Sequence, residues 1–243
     1  MSLGDKVKGR LCAPLPAANW QETLGAVRSL GLRAVELESD WLDDACLADG
    51  VAAIREQGVL PLALQVSFAQ LEGTEPSRLE RLSGLGLQYL IVRSCQRSDS
   101  ELDRLNARAG RLGLTALLEN DPCRWPADGP SLGRAASDPR RPHVRACYKP
   151  AGAVALRRHP FLADMMPGPL KRAVRIVRLA DELFADGSQV LPDQGNAELR
   201  EIVSALECRG YQGWYSLHPF GSGDYPERLA RAHAAVTRML DEL

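Results

Sequence analysis

Seven polar or ionisable residues each close an apolar run: Glu38, Gln65, Arg93, Glu119, Lys149, Arg178 and His218. A carboxylate, an imidazole and a lysine gathered at one place supply a general acid or base and a cation for developing negative charge. Glu119 follows Leu114–Leu118, Lys149 follows Val144–Tyr148 and His218 follows Trp214–Leu217, so these three are the candidate catalytic groups. Arg178, Arg93, Glu38 and Gln65 are the candidate substrate-binding groups. A desolvated Lys149 also has Schiff-base chemistry open to it. The plainer reading makes each residue a run end meeting solvent, with Arg93 and Arg178 as ion-pair partners of Glu119 or Asp181. His143, His159 and His233 read as structural or solvated side chains.

The elements that must position these groups share one grammar. The segments 30–39, 57–67, 85–94, 112–121 and 209–219 each run from a glycine through an apolar stretch to a polar residue. Gly31, Gly58, Gly86 and Gly113 recur every 27 or 28 residues, and Gly210 opens the last unit. A helix that ends at a left-handed glycine and leads into a buried strand gives this pattern. Leu24, Val27 and Leu30 before Gly31, and Leu199, Ile202, Val203 and Leu206 before Gly210, have helical spacing. Near-continuous apolar runs fit parallel strands covered on both faces. With an opening strand at Gly9–Ala13, two more at Val144–Tyr148 and Val174–Leu179, and a last helix over 226–241, the chain reads as α/β. The expected architecture is a single-domain (β/α)8 TIM barrel over residues 1–243. Residues 1–8 are expected to be flexible or extraneous to the fold. A doubly wound open sheet is the competing architecture, and the absence of GxGxxG after the first strand counts against it.

Composition narrows the partners. The chain has 243 residues, a net charge of −1, 45% hydrophobic and 25% charged residues. It lacks the basic excess of a nucleic-acid or membrane-surface binder. No apolar run is long enough to span a membrane, and MSLGDKVKGR has no signal-peptide core. The cysteines at 12, 46, 95, 123, 147 and 208 form no CxxC and read mainly as small hydrophobes. The expected compartment is the reducing cytoplasm. Gly221–Gly223, before a helix that Asp224 can cap, and Leu191–Asn196 are loops able to cradle an anion or simply to turn the chain.

LGLRAVEL at 30–37, LLEN at 117–120, YKP at 148–150, VRLAD at 177–181 and RGYQGWYSLHP at 209–219 occur in order at barrel spacing. Together with the ending YPERLARAHAAVTRML, they resemble the xylose isomerase-like TIM barrels. That superfamily includes sugar phosphate isomerases and epimerases and endonuclease IV. The resemblance spans roughly Gly9 to Leu240. It implies a divalent metal held by Glu, Asp, His and Glu at four strand ends, with the two glutamates able to shuttle protons. Only the first position is kept, as Glu119; the others carry Lys149, Arg178 and His218. Asp181 matches an acidic residue that is usually not a ligand. With a neutral His218, these four residues carry one net positive charge, whereas the implied cage is anionic.

Three functions follow as expectations. The first is a metal-independent enzyme on a sugar, sugar phosphate or sugar acid, with no cofactor. The second is a non-catalytic binder of an anionic carbohydrate-like small molecule. The third is a metal-dependent isomerase using manganese, magnesium or zinc on shifted ligands: Glu119, His218 and Asp121 or Asp193. No nucleic-acid or membrane partner is expected, and a homo-oligomer stays open.

Overall fold

The five repeat glycines all adopt positive φ, from +66° at Gly86 to +76° at Gly58. Each ends a helix in the left-handed region, which costs an L-residue roughly 1–2 kcal/mol and glycine almost nothing. A computed structural model describes residues 2–42, 47–74, 76–93 and 98–243, the helix at 76–79 in its backbone only. Cys46 and Cys95 lie outside the described residues.

Eight parallel strands follow these turns. They are β1 (Leu11–Leu15), β2 (Ala34–Leu37), β3 (Leu60–Ser67), β4 (Tyr89–Arg93), β5 (Thr115–Glu119), β6 (Val144–Tyr148), β7 (Val174–Leu179) and β8 (Trp214–Leu217). Each pairs with its sequence neighbours, and β8 closes on β1 through Leu11–Tyr215 and Cys12–Ser216, so the sheet is a closed barrel. A two-residue ribbon, Asp181–Glu182 with Gln189–Val190, lies outside it. No described helix is long and apolar enough to cross a membrane.

Period two decides what each strand turns inward. Cys12, Ala34, Leu62, Ala63, Ile91, Leu117, Cys147 and Ile176 fill the barrel interior, with Leu60, Tyr89 and Trp214 against them. The larger core, including Val35, Leu37, Leu64, Leu118 and Tyr148, lies between the strands and the helices. The polar end of each inward series therefore reaches the C-terminal mouth: Ile91 to Arg93, Leu117 to Glu119, Trp214 through Ser216 to His218. A register shift opposite Ala146–Cys147 passes over Arg175, pairing Val174 and Ile176 instead. Such a bulge re-aims the chain.

Two expectations about the ends of the fold are corrected. The opening strand is Leu11–Leu15, two residues beyond the predicted start. Residues 2–8 are not a loose tail. Leu3–Lys8 is a helix with a Ser2–Asp5 capping box, and Gly4 and Val7 are buried. Gly4 lies so close to the final helix, Tyr225–Asp241, that a Cβ there would sit 2.3 Å from the Leu240 carbonyl oxygen. Asp224 caps that last helix by accepting from the Glu227 amide.

Candidate functional site at the barrel mouth

Arg178, on β7, is 2% exposed and grips two carboxylates. Its Nε donates to Glu119 Oε2 at 2.6 Å and its Nη1 to Glu36 Oε2 at 2.7 Å. Nη1 also reaches Ser216 Oγ at 3.1 Å, as the Arg178–Ser216 pairing of β7 with β8 dictates. Nη2 is buried and has no hydrogen-bond partner among the described residues. Arg93, half exposed at the end of β4, approaches the other Glu119 oxygen at 3.4 Å. Gln65, 3% exposed, donates to Glu36 Oε2 at 3.4 Å. Two interior thiols complete the shell: Cys12 donates to Glu36 Oε1 at 3.4 Å and Cys147 to Glu119 Oε2 at 3.5 Å.

These contacts set the protonation states. Burial alone would raise the Glu119 carboxyl, but the Arg178 and Arg93 charges, the Arg178 hydrogen bond and Lys149 hold it at about 2. Burial pushes the Arg178 guanidinium down, yet Glu119 and Glu36 raise it well above its ordinary value. Burial pushes the Cys12 and Cys147 thiols up, keeping them neutral donors. His218 is half-buried beyond β8. Burial first, then Lys149 and Arg178, depress it to about 3, so its ring is neutral at physiological pH. Glu38, half-buried just past β2, is raised by burial and then by Asp40.

Lys149 is placed through its backbone. Asn120, 1% exposed, accepts from the Lys149 amide at 2.7 Å and donates to the Lys149 carbonyl at 2.9 Å. This double clasp fixes the residue after β6. The ammonium makes no hydrogen bond or ion pair with any described residue, although its charge acts on Glu119, His218 and Glu182. Asp181 turns away from the mouth and accepts from the backbone amides of Glu182, Gly195 and Ala197, fastening the 191–196 loop.

Glu36 is the residue that sequence reasoning missed. It is fully buried and counters Arg178 as directly as Glu119 does. Counting back by two from Glu38 puts Glu36 and Ala34 on the same inward series, and this signal was available. With Glu36, Glu38 and Glu119 facing Arg93, Lys149 and Arg178, the mouth is balanced in charge, which corrects the net positive count. Cys123 and Cys208 are exposed rather than buried hydrophobes. His159 contacts Glu198 at 3.0 Å, and His143 is exposed just before β6. Asp121 caps the Cys123 amide, and Asp193 pairs with Arg200. Among the described residues no three His, Cys, Asp or Glu side chains converge as a metal cluster.

This closed parallel barrel, with its polar mouth at the C-terminal strand ends, has the fold of the xylose isomerase-like TIM barrels. Solved structures carry that statement. A D-tagatose 3-epimerase-like protein aligns at TM-score 0.73 and 14% identity, over 96% of this chain and 97% of its own. A xylose isomerase-like TIM barrel protein from Mycobacterium smegmatis, in complex with magnesium, aligns at 0.67 and 13% identity, over 100% and 99%. Endonuclease IV from Thermus thermophilus aligns at 0.66 and 18% identity, over 96% and 100%. At such identities the likeness shows the fold alone. No protein-family model and no curated protein matches the chain.

Proposed function

We propose that the chain binds a sugar, sugar phosphate or sugar acid at the C-terminal mouth of its barrel, without the divalent metal of the family it resembles. The observation that carries this reading is the Glu36–Arg178–Glu119 clasp. A carboxylate cage needs a cation, and here a guanidinium supplies it covalently. Both Glu119 oxygens already face arginines, and Lys149 and Arg178 stand where the resembled family has ligands. That donor set does not fit a divalent ion. Lys149 is the cation left to meet an anionic ligand group, and neutral His218 offers a hydrogen bond to a hydroxyl. The buried Arg178 Nη2 is a further donor without a partner.

The charge states favour binding over turnover by Glu119 and His218. General acid–base catalysis works best with a pKa near the working pH. Glu119 at about 2 and His218 at about 3 are both far from neutrality. An isomerase or epimerase running on that pair is therefore the weaker reading, and any turnover falls to Lys149.

Calorimetry on chelator-treated protein tests the proposal, with ribose 5-phosphate and gluconate as ligands. The unmodified protein should bind one of them without metal, and Lys149→Met should weaken binding ~tenfold or more, equivalent to about 1.4 kcal/mol. Tight manganese binding that disappears in Glu119→Gln would overturn it. The triple change Lys149→Asp, Arg178→His and His218→Glu should create manganese affinity that the unmodified protein lacks.

A further inference from the structure

The opposite end of the barrel holds a second concentration of cations, arranged differently. A cavity of about 760 Å³ opens where β4, β7 and β8 begin, and Lys171, Arg172, Arg175 and Arg209 line it. Among the described residues no carboxylate lines it. None of these four side chains forms an ion pair with any described residue; Lys171, Arg175 and Arg209 reach only backbone carbonyl oxygens. Arg145, on the neighbouring strand, is lowered by burial and then by the Arg175 charge, with no acid acting to raise it. Glu207, on the helix that leads into β8, is occupied elsewhere. Its Oε2 accepts from Arg10 at 2.6 Å and its Oε1 from Tyr215 at 2.7 Å.

Like charges gathered in a concave, partly desolvated place repel one another unless something neutralises them. We infer that the N-terminal end of this barrel carries a binding site for a small polyanion bearing two or more phosphate groups. The geometry builds it. The β7 bulge passes over Arg175 in the pairing register, and its Nη1 is held by the Arg172 and Val174 carbonyls. Gly213 keeps the wall low: a Cβ there would lie 2.3 Å from the Arg175 carbonyl oxygen. Tyr89 lines the inner side, where the barrel interior closes the cavity. Its volume is that of a small-molecule site. Four cations exceed what one carboxylate or a monoanion can balance, which selects a multiply charged ligand. A chain with net charge −1 has no overall basic excess of the kind that extended nucleic-acid binding uses.

The site is independent of the reading of the mouth, and the test separates the two. Pyrophosphate is titrated by calorimetry at low ionic strength into the full chain, into Arg172→Glu/Arg209→Glu, and into Lys149→Met. Both substituted arginines are exposed, and a thermal midpoint no lower than that of the unmodified chain confirms that the double variant folds. Binding should survive Lys149→Met, weaken ~tenfold or more in the double variant and decline as salt is added. The milder Arg172→Gln/Arg209→Gln should give an intermediate loss. Absence of binding at millimolar pyrophosphate overturns the proposal, as does equal binding by the double variant. Loss in Lys149→Met alone would place the anion at the mouth. Tighter binding of a short oligonucleotide through the same arginines would replace the small polyanion with nucleic acid.

Discussion

The two ends of the barrel use arginine in opposite ways. At the C-terminal end Arg178 is sealed from solvent and braced by Glu36 and Glu119 at 2.7 and 2.6 Å. At the N-terminal end Arg172, Arg175 and Arg209 share a cavity with Lys171 and no acid. The first arrangement answers most of its charge from within: Arg178 joins Glu36 and Glu119 across β2, β5 and β7, Arg93 approaches the second Glu119 oxygen, and ligand chemistry passes to Lys149 and the free Arg178 Nη2. The second leaves its charge to be answered from outside. Residue type alone therefore says little about a residue's role. What decides is whether a counter-charge lies within hydrogen-bond reach and how much water remains.

Arg178→Met should have the largest effect. It leaves the buried Glu36 and the largely buried Glu119 without their shared cation, and removing one member of a buried ionic cluster costs about 3–5 kcal/mol. Urea unfolding measures it. Adding Glu36→Gln and Glu119→Gln should restore much of that stability, because the uncompensated charges go with them. If Arg178→Met costs less than ~1 kcal/mol, the clasp is not what braces the mouth.

The pH dependence at the mouth comes next. The imidazole of His218 is depressed from 6.5 to about 3, so the folded state resists a proton that the unfolded state accepts. Its contribution is fully present above pH 6.5 and is lost as pH falls toward 3. Glu119, depressed from 4.5 to about 2, acts in the same direction, losing its contribution as pH falls from 4.5 toward 2. Melting temperature should therefore decline on acidification from pH 6.5, before the carboxylates begin to protonate. His218→Gln should flatten the segment between pH 6.5 and 4.5 while leaving the steeper fall below it. A His218 ring signal that titrates near 6.5 by NMR would contradict the burial and charge argument.

How much of this was legible in the sequence follows from the same physics. The barrel was, because each repeat glycine is forced by a left-handed turn and each strand is buried on both faces. The strand ends at Glu119, Lys149 and His218 were legible because a polar residue after an apolar run marks one, whereas Arg178 lies inside β7, one residue before its end. Glu36 was missed because it lies inside the run Ala34–Leu37, where only the period of two, not the run's boundary, gives its direction. The pairing of Arg178 with Glu36 joins residues 142 apart in sequence, and only barrel closure sets it. The cations at the other end begin strands or lie in the segments that lead into them. Arg145 and Arg175 each stand second in their strands, so a reading confined to the C-terminal ends passes over them.

The smallest effect is the most discriminating one. Arg172 is exposed and its side chain has no hydrogen bond or ion pair with a described residue, so Arg172→Gln should change stability by no more than about 0.5 kcal/mol. Removing one of several like charges should make that change stabilising at low salt, and salt beyond ~0.1 M should erase it as the Debye length shrinks to about 10 Å. Arg178→Met should keep its penalty across the same salt range, because Arg178 is 2% exposed and buried pairs are screened far less than exposed charges. Urea midpoints for both variants at low and high salt make the comparison. A loss above ~1 kcal/mol for Arg172→Gln would reveal a counter-charge at the N-terminal end and remove the reason for a polyanion there. A gain at low salt that pyrophosphate reverses would tie the repulsion and the ligand to the same cations, since whatever relieves repulsion in the unmodified chain has less to relieve in the variant.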